Sequence, residues 1–172
     1  MNTALWSNIF SKVKSRQNIP NGDLLKLCPL FSSLNFKELK MISSLIYERN
    51  YQKDEFLFEK GQPGTAVFIV KSGLIKVTTP AVKKDEVELA IIEEKGFLGE
   101  LALLDDTARP ASAKAVEKTT VLAFYREDLG RLMETYPLIA SKIMRELALV
   151  IGQRLRQLNE QLIRVEETRE KK

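Results

Sequence analysis

The hydrophobic and polar positions divide the chain into a helical beginning, a central series of short β-prone runs and a long helical end. In residues 4–14 apolar side chains recur at helical spacing, with polar residues between them. This predicts an amphipathic helix rather than the unbroken apolar core of a secretory signal. Its apolar positions are Leu5, Trp6, Ile9, Phe10 and Val13. The turn-forming run Pro20-Asn21-Gly22 follows, so residues 1–22 are predicted to be a helix and linker ahead of the main domain.

Two short helices are predicted before the β-prone region. Asp23 is a candidate N-cap for a helix over Leu24–Leu27, which Pro29 would end. Asn35, with Glu38 three residues later, has the spacing of a capping box and predicts the start of a second helix. The positions of this second helix that are expected to face the core are Leu39, Ile42 and Leu45.

The centre of the chain, from Ile46 to Tyr125, consists of short runs bounded by turn residues, and the stretch Pro80–Asp85 is predicted to be a polar loop. Most of the connections are too short for the helical crossovers that parallel strands need, so the pattern favours an antiparallel sandwich or barrel. The predicted strands are Tyr47–Tyr51, Glu55–Glu59, Ala66–Val70, Leu74–Thr78, Val87–Ile92 and Val121–Phe124.

The end of the chain returns to helical periodicity. A short helix is predicted over Arg126–Met133, and Pro137 is suited to the first turn of a helix about 45 Å long. We expect Leu138–Leu147 to pack on the β domain and Leu155–Val165 to form a parallel two-helix coiled coil, with a helix docked on a monomer as the alternative. The heptad seam of this helix comprises Met144, Ala148, Ile151, Leu155, Leu158, Leu162 and Val165.

Composition narrows the class of protein. The 172 residues are 44% hydrophobic and 29% charged, which is ordinary for a globular protein. The net charge of +4 comes from dispersed lysines and arginines interleaved with 23 acidic residues, which is not the clustered footprint of a nucleic-acid-binding surface. No helix-turn-helix pattern follows the long helix, so no direct DNA binding is expected. No apolar run reaches the length of a membrane span, and we expect a cytoplasmic protein without membrane contact.

The counts of histidine and cysteine exclude several kinds of site. The chain has no histidine and one cysteine, which removes the commonest general base and metal ligand and leaves no thiolate cluster. We therefore expect no enzymatic activity, no catalytic residues and no metal site, and haem and iron–sulfur sensing are disfavoured. Cys28 lies in an apolar run and is expected to be a buried structural thiol.

The segment from Gly96 to Ala113 carries the candidate chemistry. Gly99 permits close approach of the backbone, and the short apolar run Leu101–Leu104 suggests one helical turn whose N-terminus favours an anion. The guanidinium of Arg109 can pair with a phosphate, and the carboxylate of Glu100 can accept from sugar hydroxyls. Together they describe a ribose cyclic phosphate, although the same two residues could instead form an ordinary ion pair beside a tight turn.

This segment resembles the phosphate-binding cassette of the cyclic-nucleotide-binding domain family, which occurs in bacterial transcription activators, kinases and gated channels. The chain has Leu98-Gly99-Glu100-Leu101-Ala102-Leu103, and Arg109 falls nine residues after Glu100, a spacing that the family uses. Phe58–Gly64 followed by Ala66–Gly73 is similar to the family's strand-turn-strand signature. The resemblance covers about residues 24–155.

The resemblance implies a mainly β fold: an eight-stranded antiparallel β-roll, or jelly roll, with N-terminal helices and a long C-terminal helix. The β-roll domain would span residues 23–135 and the lid and dimerisation helix residues 136–172. Glu100 would accept from the ribose 2′-hydroxyl, and Arg109 would contact the cyclic phosphate. The other ligand-binding positions would be Gly99, Leu101 and Ala102, which shape the turn and offer backbone donors, and Pro110 and Ala111, with Val150 and Arg154 as lid positions.

Pro110 departs from the family pattern, which places serine, threonine or alanine after the arginine. Proline lacks the N–H that would donate to the phosphate and the hydroxyl that often accompanies cGMP preference, so cAMP is favoured over cGMP. The function expected is a cAMP sensor that forms a homodimer and passes ligand binding through the C-terminal helix to an unidentified protein partner. The alternative is a β-roll that binds no nucleotide and serves as a dimeric interaction scaffold.

Overall fold

The computed structural model describes residues 19–81 and 84–170, so the helix predicted over residues 4–14 lies outside the described residues. Eight antiparallel strands form two four-stranded sheets, ordered β1-β8-β3-β6 and β2-β7-β4-β5. This is the predicted β-roll. The strands are β1 (Tyr47–Tyr51), β2 (Phe56–Phe58), β3 (Ala66–Ser72), β4 (Ile75–Ala81), β5 (Lys84–Ile92), β6 (Phe97–Leu98), β7 (Ser112–Ala115) and β8 (Thr119–Tyr125).

Strand β3 is buried on both of its faces, which explains why its sequence is continuously apolar instead of alternating. Val67 and Ile69 face a cluster that includes the helices. Ala66, Phe68 and Val70 face the space between the two sheets, where a second cluster lies. The buried members of the second cluster on other strands are Phe58, Ile75, Leu98, Ala113, Val121 and Ala123.

The described helices are α1 (Gly22–Leu27), α2 (Phe36–Ser43), α3 (Arg126–Thr135) and α4 (Pro137–Glu170), with 3₁₀ turns at Pro29–Phe31 and Glu100–Leu103. The capping box of Asn35 and Glu38 is confirmed, with both reciprocal hydrogen bonds present. The prediction that Asp23 caps α1 is wrong. Asn21, in the left-handed conformation, occupies the N-cap position, and Asp23 lies in the first turn, where its negative charge suits the helix dipole.

The sheets differ from the sequence prediction in two places: one predicted loop is partly strand, and one strand was not predicted. The stretch Pro80–Asp85 is not a loop throughout, because β4 and β5 pair out to Ala81 and Lys84. Strand β7 was not predicted, since its sequence of serine, alanine and lysine has no β-branched or aromatic residue. Its pairing with β2 and β4 creates the strand, and both of its alanines are fully buried.

Helix α4 packs on the domain through its first half and leaves its second half exposed. The buried residues are Ile139, Ala140, Ile143, Leu147 and Val150. Packing therefore extends beyond the predicted limit at Leu147, whereas Leu138, which was expected to pack, is 78% exposed. The exposed apolar residues of the second half are Leu155, Leu158, Leu162 and Ile163. Across the two described ranges, no helix is both long and apolar enough to cross a membrane.

Cys28 is fully buried beside the 3₁₀ turn that follows α1. Burial raises the pKa of its thiol to about 12, partly opposed by a backbone hydrogen bond from Leu30. The thiol is therefore uncharged at neutral pH, in agreement with the structural role predicted from its apolar surroundings.

Candidate functional site

The site begins at a tight turn that follows β6. Gly99 has a φ of 79°, in the left-handed region, and the 3₁₀ turn Glu100–Leu103 starts directly after it. A side chain at Gly99 would place its Cβ 2.5 Å from Nη1 of Arg109. Glycine is thus required both by the backbone conformation and by the close approach of the arginine.

Arg109 returns to this turn from a loop that is fixed by its backbone. Its carbonyl accepts from the N–H of Gly61 at 2.9 Å, and its own N–H donates to the carbonyl of Gln62 at 2.8 Å. The side chain is 5% exposed. Its Nη1 donates to the carbonyl of Gly99 at 3.1 Å and its Nη2 to that of Ala66 at 2.7 Å. The polar end of the side chain is therefore held rigidly against the turn.

The charge of Arg109 is enclosed by apolar and backbone groups. The guanidinium carbon lies 4.1 Å from the centre of the Phe58 ring, a cation–π contact. Burial lowers the pKa of Arg109, and the negative charge of Glu100 partly opposes that shift. An arginine nevertheless keeps its proton in a protein, so the loop presents a poorly solvated positive charge to the turn.

Glu100 is 3% exposed, and the long helix supplies its partner. Its Oε1 accepts from Nη1 of Arg154 at 2.5 Å. Arg154 also donates to the carbonyl of Phe97 at 3.4 Å, and its guanidinium carbon lies 5.1 Å from the centre of the Phe97 ring. The alternative in which Glu100 and Arg109 form an ordinary ion pair does not hold, because each bonds to other groups.

Two buried side-chain atoms within residues 19–81 and 84–170 have no hydrogen-bond partner: Oε2 of Glu100 and Nε of Arg109. The Glu100 atom is an acceptor and the Arg109 atom is a donor. These are the two residues that the sequence analysis predicted to bind sugar and phosphate. An unsatisfied buried polar group costs about 1–3 kcal/mol, more if charged. A ligand with a hydroxyl donor and an anionic acceptor would satisfy both atoms.

The other predicted ligand-binding and lid positions differ in how deeply they are buried. Ala102 is buried in the turn, and its N–H donates to the carbonyl of Gly99 at 3.1 Å. Leu101 and Pro110 are exposed, and Ala111 is buried. Val150 belongs to the buried cluster that contains Leu103 of the turn.

Sequence reasoning missed Phe58, the ring on which Arg109 stacks, and Phe97, which contacts Arg154. Phe58 is part of the strand-turn-strand signature quoted above, but nothing in the sequence shows that its ring faces Arg109. Phe58 lies on β2 and Phe97 on β6, so the packing of the two sheets and of α4 brings the two rings to the two arginines.

Comparison with known proteins gives a consistent result. Residues 48–136 match the profile of the family described as the cyclic nucleotide-binding domain. The chain is 34% identical over 138 residues to the cyclic AMP receptor protein of Thermus thermophilus, covering 80% of this chain and 62% of that protein. It is 33% identical over 127 residues to glutaminase 1 of Bradyrhizobium diazoefficiens, covering 74% of this chain and 20% of the glutaminase.

The fold comparison agrees. The crystal structure of a cyclic nucleotide-binding domain from Methylobacillus flagellatus superposes with a TM-score of 0.71, covering 83% of this chain and 84% of that one, at 19% identity. At that identity the likeness concerns the fold alone. The chain spans less than two thirds of the two curated relatives, and only a fifth of the glutaminase.

Proposed function

The chain belongs to the cyclic nucleotide-binding domain family, and we propose that it is a regulatory sensor domain whose ligand is cAMP. The observation that carries the proposal is the pair of buried, unpartnered atoms, Oε2 of Glu100 and Nε of Arg109. A β-roll kept only as an interaction scaffold would have no reason to retain an unsatisfied acceptor and an unsatisfied donor in one buried place.

In this proposal the nucleotide bridges the two residues. The ribose 2′-hydroxyl donates to Oε2 of Glu100, and an oxygen of the cyclic phosphate accepts from Nε of Arg109. Phe58 and the carbonyls of Gly99 and Ala66 hold the guanidinium in place, so little side-chain entropy is lost on binding. These residues bind and orient the ligand, and no chemical reaction is part of the proposed function. The glutaminase named above is similar to this chain over only a fifth of its length.

A thermal-shift panel with cAMP, cGMP and linear 5′-AMP tests this function. Ligands that bind the folded state raise its Tm by mass action. We expect the largest shift with cAMP, a smaller one with cGMP, and little with 5′-AMP, whose phosphate is not tied to the ribose. Equal shifts for all three nucleotides, or none at millimolar concentration, would contradict the proposal.

Replacing Pro110 with alanine is expected to raise the affinity for cAMP about tenfold. The substitution restores a backbone N–H beside the phosphate, and one hydrogen bond to a charged acceptor contributes about 1.5–3 kcal/mol. Pro110→Ser should, in addition, raise the affinity for cGMP relative to Pro110→Ala, because its side chain supplies a hydroxyl. Calorimetric titration measures both effects, with Pro137→Ala, an exposed proline at the start of α4, as the control. An unchanged affinity in Pro110→Ala would mean that no phosphate lies beside this position.

The second half of α4 is the proposed route to a partner and the proposed homodimer contact. Its exposed leucines Leu155, Leu158 and Leu162 are spaced by three and four residues, as in a coiled-coil seam. Parallel pairing of two such helices would cover them and join two sensor domains. The downstream partner is proposed to be another protein in the cytoplasm, with no direct contact to DNA.

Leu158→Glu is expected to convert the dimer to a monomer, because two like charges would then meet at the centre of the seam. Sedimentation equilibrium measures the change. Leu138→Glu is the matched control, since Leu138 is 78% exposed on the same helix but outside the seam. A wild-type chain that sediments as a monomer, or a Leu158→Glu variant that remains dimeric, would refute the helix-mediated dimer.

A further inference from the structure

The ion pair between Arg154 and Glu100 joins the long helix to the proposed ligand site. Glu100 and Arg154 are 54 positions apart in the chain, and Arg154 lies one helical turn after Val150, the last buried residue among those described in α4. The side chain of Glu100 is 4% exposed and that of Arg154 is 43% exposed. Arg154 therefore covers the carboxylate from the solvent side.

The site is closed in this arrangement. Oε2 of Glu100 and Nε of Arg109 are both inaccessible to solvent, although neither has a partner in the described chain. A ligand hydroxyl cannot reach Oε2 unless one of the covering groups moves. Oε1 is already taken by a charged donor at 2.5 Å.

Arg154 is a partly exposed covering group, with its side chain 43% accessible to solvent. Beyond the Glu100 contact, its hydrogen bond to the Phe97 carbonyl is long, at 3.4 Å. The leucines that follow it on α4 are exposed, so few apolar contacts hold this part of the helix against the roll. The turn itself and Arg109 are fixed by buried backbone hydrogen bonds.

We propose that Arg154 competes with the ribose hydroxyl for Glu100, so that the ion pair keeps the empty site closed and the nucleotide releases it. The inference rests on the proposed function and adds its regulation. Arg154 holds Oε1 and the hydroxyl takes Oε2, which becomes accessible only when Arg154 leaves. Each binding event then exchanges an internal donor for a ligand donor on the same carboxylate. The affinity for the nucleotide is lowered by the strength of the ion pair, and occupancy is coupled to the anchoring of α4.

The test is calorimetric titration of the full chain and its Arg154→Gln variant with cAMP and with 2′-deoxy-cAMP, which lacks the competing hydroxyl. Arg154→Gln is expected to bind cAMP about tenfold more tightly than the wild type, the scale of one charge-assisted hydrogen bond. The gain should be markedly smaller for 2′-deoxy-cAMP, which has no hydroxyl to place on the carboxylate. Arg156→Gln, an exposed arginine of the same helix, is the matched control and should bind as the wild type does.

The outcomes separate this inference from the function on which it rests. Weaker or unchanged cAMP binding by Arg154→Gln, with the wild type binding normally, would overturn the competition and leave the sensor function standing. An equal gain for both nucleotides would overturn it as well, because the effect would then not pass through the hydroxyl. If neither the wild type nor Arg154→Gln binds cAMP, both the competition and the sensor function fail.

Discussion

Replacing Arg109 with alanine is expected to lower the affinity for cAMP by about 100- to 1,000-fold, the effect of losing both the positive charge and its hydrogen bond to a phosphate in a poorly solvated site. The guanidinium is buried, stacked on Phe58 and fixed by two backbone carbonyls. No other described cation is enclosed in this way beside the turn. Calorimetric titration measures the loss.

Two further variants make this result specific. Arg109→Lys keeps the positive charge but loses the planar fork, and it should recover only part of the affinity. Arg145→Ala removes an exposed arginine of α4 and should leave cAMP binding unchanged. Thermal unfolding of each variant shows whether the domain is folded. A folded Arg109→Ala variant that binds cAMP as the wild type does would remove Arg109 from the site.

Gly73→Ala is expected to destabilise the domain by about 3 kcal/mol or more, through steric overlap added to backbone strain. Gly73 connects β3 to β4 with a φ of 95°. An added Cβ would lie 2.4 Å from Oγ1 of Thr119, 2.7 Å from its Cα and 2.8 Å from the carbonyl oxygen of Lys118. Two of these three are backbone atoms at the start of β8, so rotation of a side chain cannot relieve the overlap.

Gly61→Ala is the matched control for this prediction. Gly61 has a similar φ of 89°, but an added Cβ there would meet nothing within 4 Å. It should therefore cost about 1 kcal/mol, the backbone strain alone. Urea unfolding measures the free energy of unfolding of both variants, and the difference between them is the cost of the steric overlap at Gly73. Equal destabilisation of Gly61→Ala and Gly73→Ala would show that the contact with β8 is not tight.

Parts of the fold that depend on residues close together in the chain could be predicted from the sequence. The capping box of Asn35 and Glu38 agrees with the structure because it is determined by neighbouring residues. Strand β7 has no such signal, since only its partners on both sides make it a strand. The N-cap of α1 was assigned to Asp23 because acceptor side chains favour that position, whereas the preceding turn places Asn21 there.

The same division applies to the site. Glu100 and Arg109 could be identified from the sequence because they lie in one short segment at a characteristic spacing. The partners of each residue could not be identified. Arg109 bonds to backbone carbonyls, which every residue has, and the contact of Arg154 depends on how α4 docks against the roll. Arg154 was expected only as a lid position, and its bond to the carboxylate emerged from the packing of the helix.

The central claim is that the buried acceptor and donor of Glu100 and Arg109 form a cyclic nucleotide site. Isothermal titration of the wild-type chain with cAMP tests this claim most directly. We predict saturable binding with one nucleotide per chain. The absence of any heat of binding at millimolar cAMP, in a sample shown to be folded, would contradict the claim.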